Sequence, residues 1–338
     1  MISYNEKYLP DMKHLFKVAF EDSDAFIEFF FSERLRESDV FLHIEDKKVV
    51  GAAYSRTFIL SIFDKEIKVP FLNGVGVLPT YRLKGIAKKL IKEAVFKYTK
   101  NKLPFVLLHP FNVEFYRKLD FESLNFVETV NITRSERENI SSKVITSDDL
   151  DILLNIYNEY TSFIPAYKFR SIKDFSEIYA THFLDGGHGH IIYYQNKPSG
   201  YMLYDKTCVY EYVEIIPGLI SSCMPDGINE VTSFVNDGKN SFSMAKICDI
   251  YKFMSLSTFV ENVAGSFVFL IDGVCYELNV KAGVLEYFFQ SSKTPEFSLT
   301  SRQILSIVLG GGRRFARDVP KNFTSMFKTF NIYMHEKY

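Results

Sequence analysis

The spacing of apolar residues changes several times along the first third of the chain, and each change predicts an element. LPDMKHLFKVAF, residues 9–20, repeats its apolar positions at the three- and four-residue spacing of one helical face. DVFLHIEDKKVVGAAYSRTFIL, residues 39–60, reads as two strands joined at the charged turn Asp46-Lys47-Lys48. IKVPFLNGVGVL, residues 67–78, is a third long strand that runs into Pro79. In the helix predicted after it, Ile86, Ala87, Leu90, Ile91, Ala94, Val95 and Tyr98 recur on one buried face. PFVLLHP is a short, continuously apolar strand, and NVEFYRKLDF is a turn of helix closed by another strand.

The pattern then restarts. TRSERENISSK, from Thr133, is polar and serine-rich and reads as a linker. TSDDLDILLNIYNEY opens with a capping box, Thr146 to Asp149, and leads a second unit. HIIYYQNKPSGYMLYD is a hairpin turning at Asn196 to Gly200, so the order of the first unit, helix then hairpin, recurs. A third unit starts near SMAKICDIYKFMSL and continues through SFVFLIDGVCYELNV and AGVLEYFFQ, with a turn at Asp272-Gly273. It ends in helical stretches around ILSIVLGGG and FTSMFKTF. The fold class expected is mixed α+β in three units, residues 1–138, 139–242 and 243–338.

Composition narrows the classes. Apolar residues make up 47% and charged residues 24% of the 338, which places the chain among core-forming globular proteins. A net charge of −1 lacks the basic surplus of a general nucleic-acid binder. MISYNEKYLPDMK has no apolar leader segment, and no apolar run approaches a membrane span. Cys208, Cys223, Cys248 and Cys275 form no CxxC pair, which argues against zinc ribbons and thioredoxin-like motifs. They read as reduced core thiols of a cytoplasmic protein.

The chemistry concentrates in VLPTYRLKGIAKKLI, residues 77–91, where a strand hands over to a helix through two cations and a glycine. A helix N-terminus presents unpaired backbone N–H groups and the positive end of the helix dipole, a site for an anion. Arg82 and Lys84 add full charges, and Gly85 lets a phosphate approach the backbone. Neither GxxxxGK[ST] nor GxGxxG is present. Three other stretches offer less. EDSDAFIEFFF (21–31) mixes acids and rings, as a polyamine pocket or an ordinary amphipathic helix does. His188 and His190 share a strand face without a third ligand, and GGGRR (310–314) has no strand before it.

RLKGIA, after a strand ending Val77-Leu78-Pro79, resembles the [RQ]-x-x-G-x-[GA] signature of the GNAT N-acetyltransferase superfamily. HPFNVEFYRKLDF resembles its second signature, F-Y-x-x-x-G-F, with Asp120 in the glycine position. The resemblance implies acetyl-CoA as cosubstrate and no metal. Val75, Gly76 and Val77 would lend backbone groups to the pantetheine arm, with Phe111 and Asn112 alongside it. Arg82, Leu83, Lys84, Gly85, Ile86, Ala87 and Lys88 would hold the pyrophosphate, and Tyr116 would protonate the departing thiolate.

The order of the three units resembles the Eis (enhanced intracellular survival) family. That implies tandem GNAT-like domains, the first active and the second degenerate, followed by a sterol-carrier-protein-like domain. It implies acetyl transfer to a primary amine of a polycationic, aminoglycoside-like molecule or a lysine side chain. It also implies a homo-oligomer, trimer or hexamer, and the α-carboxylate of Tyr338 as a second catalytic group, although Lys337 departs from the family's acidic ending. The competing expectation is a CoA- or lipid-binding module without turnover, suggested by Asp120 and by that chain end.

Overall fold

Three long antiparallel strands and the helix that follows them set the frame. The computed structural model describes residues 6–35, 39–184, 186–235, 238–309 and 319–334. The first unit runs α1 (Leu9–Phe20), α2 (Asp24–Phe29), β1 (Asp39–Glu45), β2 (Lys48–Ile62), β3 (Lys65–Val77), α3 (Ile86–Lys100), β4 (Phe105–Leu108), α4 (Val113–Arg117) and β5 (Glu122–Asn131). The second runs β6 (Ile140–Val144), α5 (Leu150–Thr161), β7 (Ala166–Lys168), α6 (Ile172–Leu184), β8 (His188–Tyr194), β9 (Lys197–Tyr204), β10 (Val209–Glu214), α7 (Leu219–Ser222), β11 (Glu230–Val235) and β12 (Asn240–Ile247). The remainder is α8 (Ile250–Met254), β13 (Gly265–Ile271), β14 (Val274–Lys281), β15 (Val284–Gln290), β16 (Phe297–Leu299), α9 (Ser301–Val308) and α10 (Lys321–Thr324).

Alternation along the strands separates two cores in the first unit. Phe41 and Ala53 face α3, where Ile86, Leu90, Ile91, Ala94 and Tyr98 are buried. Their neighbours Leu42 and Tyr54 face the opposite way, onto Met12, Leu15 and Phe16 of α1 and Phe26 of α2. Pro10 starts α1 without losing an intrahelical donor, and Glu21, at φ +61°, ends it. Ser23 starts α2 by accepting the N–H of Phe26 at 3.1 Å.

One sheet joins the first two units in the order β1-β2-β3-β4-β12-β5-β11-β10-β9-β8-β6, with β7 on β2. The units exchange strands. β12 lies antiparallel to β4 on one side and β5 on the other, while β5 also pairs with β11. The boundary expected at 242/243 therefore falls inside β12, whose Met244–Ile247 half pairs with Phe105–Leu108. Part of the stretch expected as a linker is likewise ordered, with Ile140–Val144 forming the edge strand β6 on β8. The capping box forms as expected, Thr146 and Asp149 closing the entry to α5.

The third unit is a four-stranded sheet, β15-β14-β13-β16, whose core is continuous with the far ends of β2 and β3. Phe58, Leu60, Ile67 and Val69 share that core with Phe253, Phe269 and Phe323. Arg302 of α9 also reaches the buried carboxylate of Glu122 on β5, its Nε at 2.7 Å. The four cysteines are free thiols, and burial pushes Cys248 up to about 12. No described helix is long and apolar enough to cross a membrane.

Because β12 supplies the inner neighbour of both β4 and β5, a fragment of residues 1–138 lacks the strand that its own sheet is built around. It is expected to show no cooperative thermal transition, in contrast with the whole chain. Circular-dichroism melts of the two proteins check this.

Candidate active site

The site begins with a defect in a strand. Ala53 pairs with Val75 and Ser55 with Leu72, so Asn73 and Gly74 stand opposite the single residue Tyr54. Gly74 takes φ +88°, which a glycine adopts without strain. Up to this bulge β3 runs parallel to β4, pairing Phe71 with Leu107 and Leu72 with Leu108. Beyond it the two strands part, and the β4-facing backbone edge of Val75–Val77 opens into a cavity of about 560 Å³.

The helix N-terminus lies at that cavity. Pro79–Tyr81 form a turn of 3-10 helix, Leu83 takes φ +63° and Gly85 takes φ +81° as the N-cap of α3. Among the described residues no side chain caps the helix, and its first turn holds no acidic residue, so its leading N–H groups have no anionic partner from the helix itself. Arg82 donates from Nε to the carbonyl of Val77 at 3.1 Å, tying the turn to the end of β3.

Most of the residues expected from sequence come together here. Val75, Gly76 and Val77 line the cavity from the strand, and Arg82, Leu83, Gly85, Ile86, Ala87 and Lys88 line it from the turn. Phe111 and Asn112 line it from the loop before α4, where Asn112 Oδ1 caps the helix by accepting from Phe115 N at 2.9 Å. Lys84 does not line it, and its Nζ sits 4.7 Å from the Tyr81 ring centroid. Tyr116 does not line it either. Helical rotation turns its neighbour Phe115 to the cavity and puts Tyr116, only 3% exposed, behind it. The Tyr116 ring packs against Phe111, Phe115 and Phe121 at centroid distances of 5.6, 5.1 and 5.8 Å. Burial pushes its phenol above the usual tyrosine range.

The sequence did not single out Ala19, Phe20, Tyr81 or Phe115, which complete the lining. Phe20 also lines a second cavity of about 310 Å³ with Asn73, Gly74, His109 and the rings of Phe16, Phe26, Phe30 and Phe71. The two cavities thus flank the bulge.

Asp120 keeps the turn that a glycine would make, at φ +64°. Aspartate is among the residues that tolerate this region, and its carboxylate is met by Lys246 Nζ of β12 at 3.0 Å. The departure from the signature is therefore absorbed by the exchanged strand.

The second unit repeats the geometry and closes it. β10 and β11 are parallel, paired among the described residues at Val209 and Val231, and Gly218 at φ +86° caps α7. But α7 has four residues, and Glu214 Oε2 accepts its Ile220 N–H at 3.0 Å. Ser135 covers it, with Oγ 2.7 Å from Ser221 Oγ. Here the chain's own carboxylate takes the place open at α3.

Among the described residues, no three of His, Cys, Asp and Glu are grouped to hold a metal ion. His190 Nδ1 lies 3.2 Å from the Tyr204 hydroxyl. Tyr338 and the GGGRR stretch lie outside the described residues.

Residues 1–124 match the acetyltransferase (GNAT) domain family. No curated protein matches the chain. Three solved structures share its fold over essentially the whole length. A probable N-acyltransferase of unknown function from Enterococcus faecalis has a TM-score of 0.83 at 14% identity, over 99% of this chain and 98% of that one. A GCN5-related N-acetyltransferase from Anabaena variabilis has 0.79 at 16%, over 98% of both chains. Eis1 from Mycobacterium abscessus has 0.71 at 12%, over 100% and 99%. The matched domain contains the strand, turn and helix that build the larger cavity, and the protein is an N-acetyltransferase with acetyl-CoA as its donor.

The left-handed turn at residue 120 gives a direct check on how the signature is kept. Asp120→Gly relaxes the backbone but gives up an exposed ion pair, and is expected to change stability by less than about 1 kcal/mol. Asp120→Val puts a β-branched residue at positive φ and is expected to cost about 1–2 kcal/mol. Thermal midpoints of both variants measure the difference.

Proposed function

We propose that the protein transfers acetyl from acetyl-CoA, held in the larger cavity, to a primary amine delivered from the smaller one. The observation that supports this most directly is the uncapped N-terminus of α3 at the end of a strand whose parallel neighbour has peeled away. The pyrophosphate would rest on the N–H groups at Gly85 to Lys88, with Arg82 and Lys84 supplying charge. The pantetheine arm would run along the backbone edge of Val75–Val77 opened where β3 leaves β4. Phe111 and Asn112 would flank it.

In the transfer the neutral amine attacks the thioester carbonyl, a C–N bond forms and the C–S bond breaks. Tyr116 is the proposed acid that gives its phenolic proton to the departing thiolate. Its raised pKa keeps it protonated, and a shift of the Phe111 or Phe115 ring would give it access to the sulfur. The proposed acceptor of the ammonium proton is the α-carboxylate of Tyr338. Its support is how the chain leading there is held. Tyr333 N donates to Ala166 O at 2.8 Å, Lys168 N to Tyr333 O at 2.9 Å, and Asn125 Nδ2 to Ile332 O at 2.6 Å. From Tyr333 a run of rings, Phe234, Phe242 and His109, leads to the smaller cavity at centroid steps of 5.9, 5.3 and 4.4 Å. The five residues after Tyr333 reach at most about 18 Å.

The acceptors that the family resemblance offers are aminoglycoside-like polycations and lysine side chains. The second unit fits the role of a degenerate GNAT-like domain, its phosphate position occupied by Glu214. The third, sterol-carrier-like by resemblance, is assigned a scaffold role. The test of the function is incubation with acetyl-CoA and a panel of aminoglycosides, polyamines and lysine peptides, read by mass spectrometry. Acetyl-CoA binding with no acetylated product from any amine would favour the module without turnover.

Two sets of variants separate binding from chemistry. Arg82→Ala is expected to raise the acetyl-CoA Kd about tenfold, the loss of one charge-assisted hydrogen bond. Gly85→Glu has open space around its Cβ, with nothing within 4 Å, but puts a side chain at φ +81°; it is expected to cost about 1–2 kcal/mol of stability, read from a thermal melt, and to repel the phosphates. Calorimetric titration measures both. Tyr116→Phe is expected to lower kcat by about a hundredfold, with the acetyl-CoA Kd within about twofold. Because burial raises the Tyr116 pKa, the wild-type loss of kcat on deprotonating this acid should come above the ordinary tyrosine value of about 10. A pH profile of kcat checks the sign, and Tyr116→Phe should lack that limb.

A further inference from the structure

The smaller cavity has a chemical character that the larger one does not share. Phe16 and Phe20 from α1, Phe26 from α2, Phe30 just beyond it and Phe71 from β3 wall it with rings. They pack on one another, with Phe16 at 4.7 Å from both Phe20 and Phe30. At about 310 Å³ the cavity is near the lower end, about 300 Å³, of the range for ligand sites, room for one ring and a short arm.

The acids of the same segment are turned elsewhere. Asp24 pairs with Lys17 at 2.5 Å and Glu28 with Lys13 at 2.6 Å, both on the protein surface. Arg34, which lines the cavity, lies 3.2 Å from Glu177, and Arg56 meets the same carboxylate at 2.7 Å. Among the described lining residues Asp22 is the only carboxylate. A polycation entering here would leave most of its charges desolvated without partners, which is costly. One ammonium is a different matter. Asn73 Oδ1 is a buried acceptor with no donor among the described residues, and it sits on the bulge between the two cavities. A buried carbonyl oxygen without a donor marks the place for an incoming N–H.

We propose that this cavity selects an arylalkylamine, its ring among Phe16, Phe26, Phe30 and Phe71 and its single amine at Asn73 Oδ1, facing the thioester. This assignment rests on the acetyltransferase reading above and narrows its acceptor. Rings stack offset or edge to face with other rings, so an aromatic body gains over an aliphatic one of similar size. Asn73 is adjacent to Gly74 and one residue further from Val75, where the wall of the larger cavity begins. An amine held there stands at the junction of the two rooms.

The experiment is acetylation by the whole unmodified protein with acetyl-CoA and 2-phenylethylamine, n-hexylamine, spermine and kanamycin, compared by kcat/KM. The expected result is a preference of at least about tenfold for 2-phenylethylamine over each of the others. Asn73→Ala is expected to lower kcat/KM for 2-phenylethylamine about tenfold while leaving KM for acetyl-CoA unchanged. Phe26→Leu keeps apolar volume and is expected to erase most of the preference over n-hexylamine, with a thermal melt confirming that it folds. Spermine or kanamycin turned over as well as 2-phenylethylamine would overturn the acceptor assignment and leave the acetyltransferase reading standing. An unchanged kcat/KM in Asn73→Ala would overturn the place given to the amine. Acetyl-CoA binding with none of these amines acetylated would overturn the acceptor assignment, and lysine peptides left unacetylated as well would overturn the acetyltransferase reading.

Discussion

The hydrogen-bond ladder that β12 makes with β4 on one side and β5 on the other is the constraint on which the rest depends. Buried backbone N–H and C=O groups need partners, and an unpaired one costs about as much as a lost hydrogen bond. A strand placed between β4 and β5 satisfies both and leaves β5 free to pair with β11. The two units become one sheet without a polar gap between them. The same strand carries Lys246, which meets Asp120, and so fixes the turn beneath Tyr116.

The larger cavity opens where this continuity is broken. β3 leaves β4 after two paired residues, because the bulge at Asn73-Gly74 adds a residue on one side only. The second unit has the same parting between β10 and β11, yet it offers no open helix end, since Glu214 already accepts the N–H of Ile220. The contrast is chemical rather than topological. One unit leaves its leading donors without a carboxylate partner from its own helix, and the other satisfies one of them internally. A fifteen-residue helix also sums more peptide dipoles than a four-residue one.

What could be read from sequence was local. The helix after the turn is visible in the 3.6-residue period of Ile86 to Tyr98, and its start at Gly85 in the turn that precedes it. The entry to α5 is visible in Thr146 and Asp149. Pairing was not visible. SMAKI looks like a strand, but nothing in it names Phe105–Leu108, more than a hundred residues away, as its partner. Phe20, Phe115 and Asn73 were hidden for another reason. A ring lining a cavity and a ring filling a core obey the same period, and Asn73 lies in an otherwise apolar strand whose bulge no spacing marks. The acids of EDSDAFIEFFF could be assigned only once Lys13 and Lys17 were seen to take Glu28 and Asp24.

Phe20 belongs to the walls of both cavities. A ring shared in this way makes the two rooms thermodynamically dependent, because any shift that suits one occupant alters the space left to the other. With the two substrates placed as proposed, coupling of this kind is reciprocal: whatever factor the donor imposes on amine affinity, the amine imposes on the donor. On that placement the end of α1, which carries the ring and then turns at Glu21, is where a change far from the reacting atoms would alter how the two substrates sense each other.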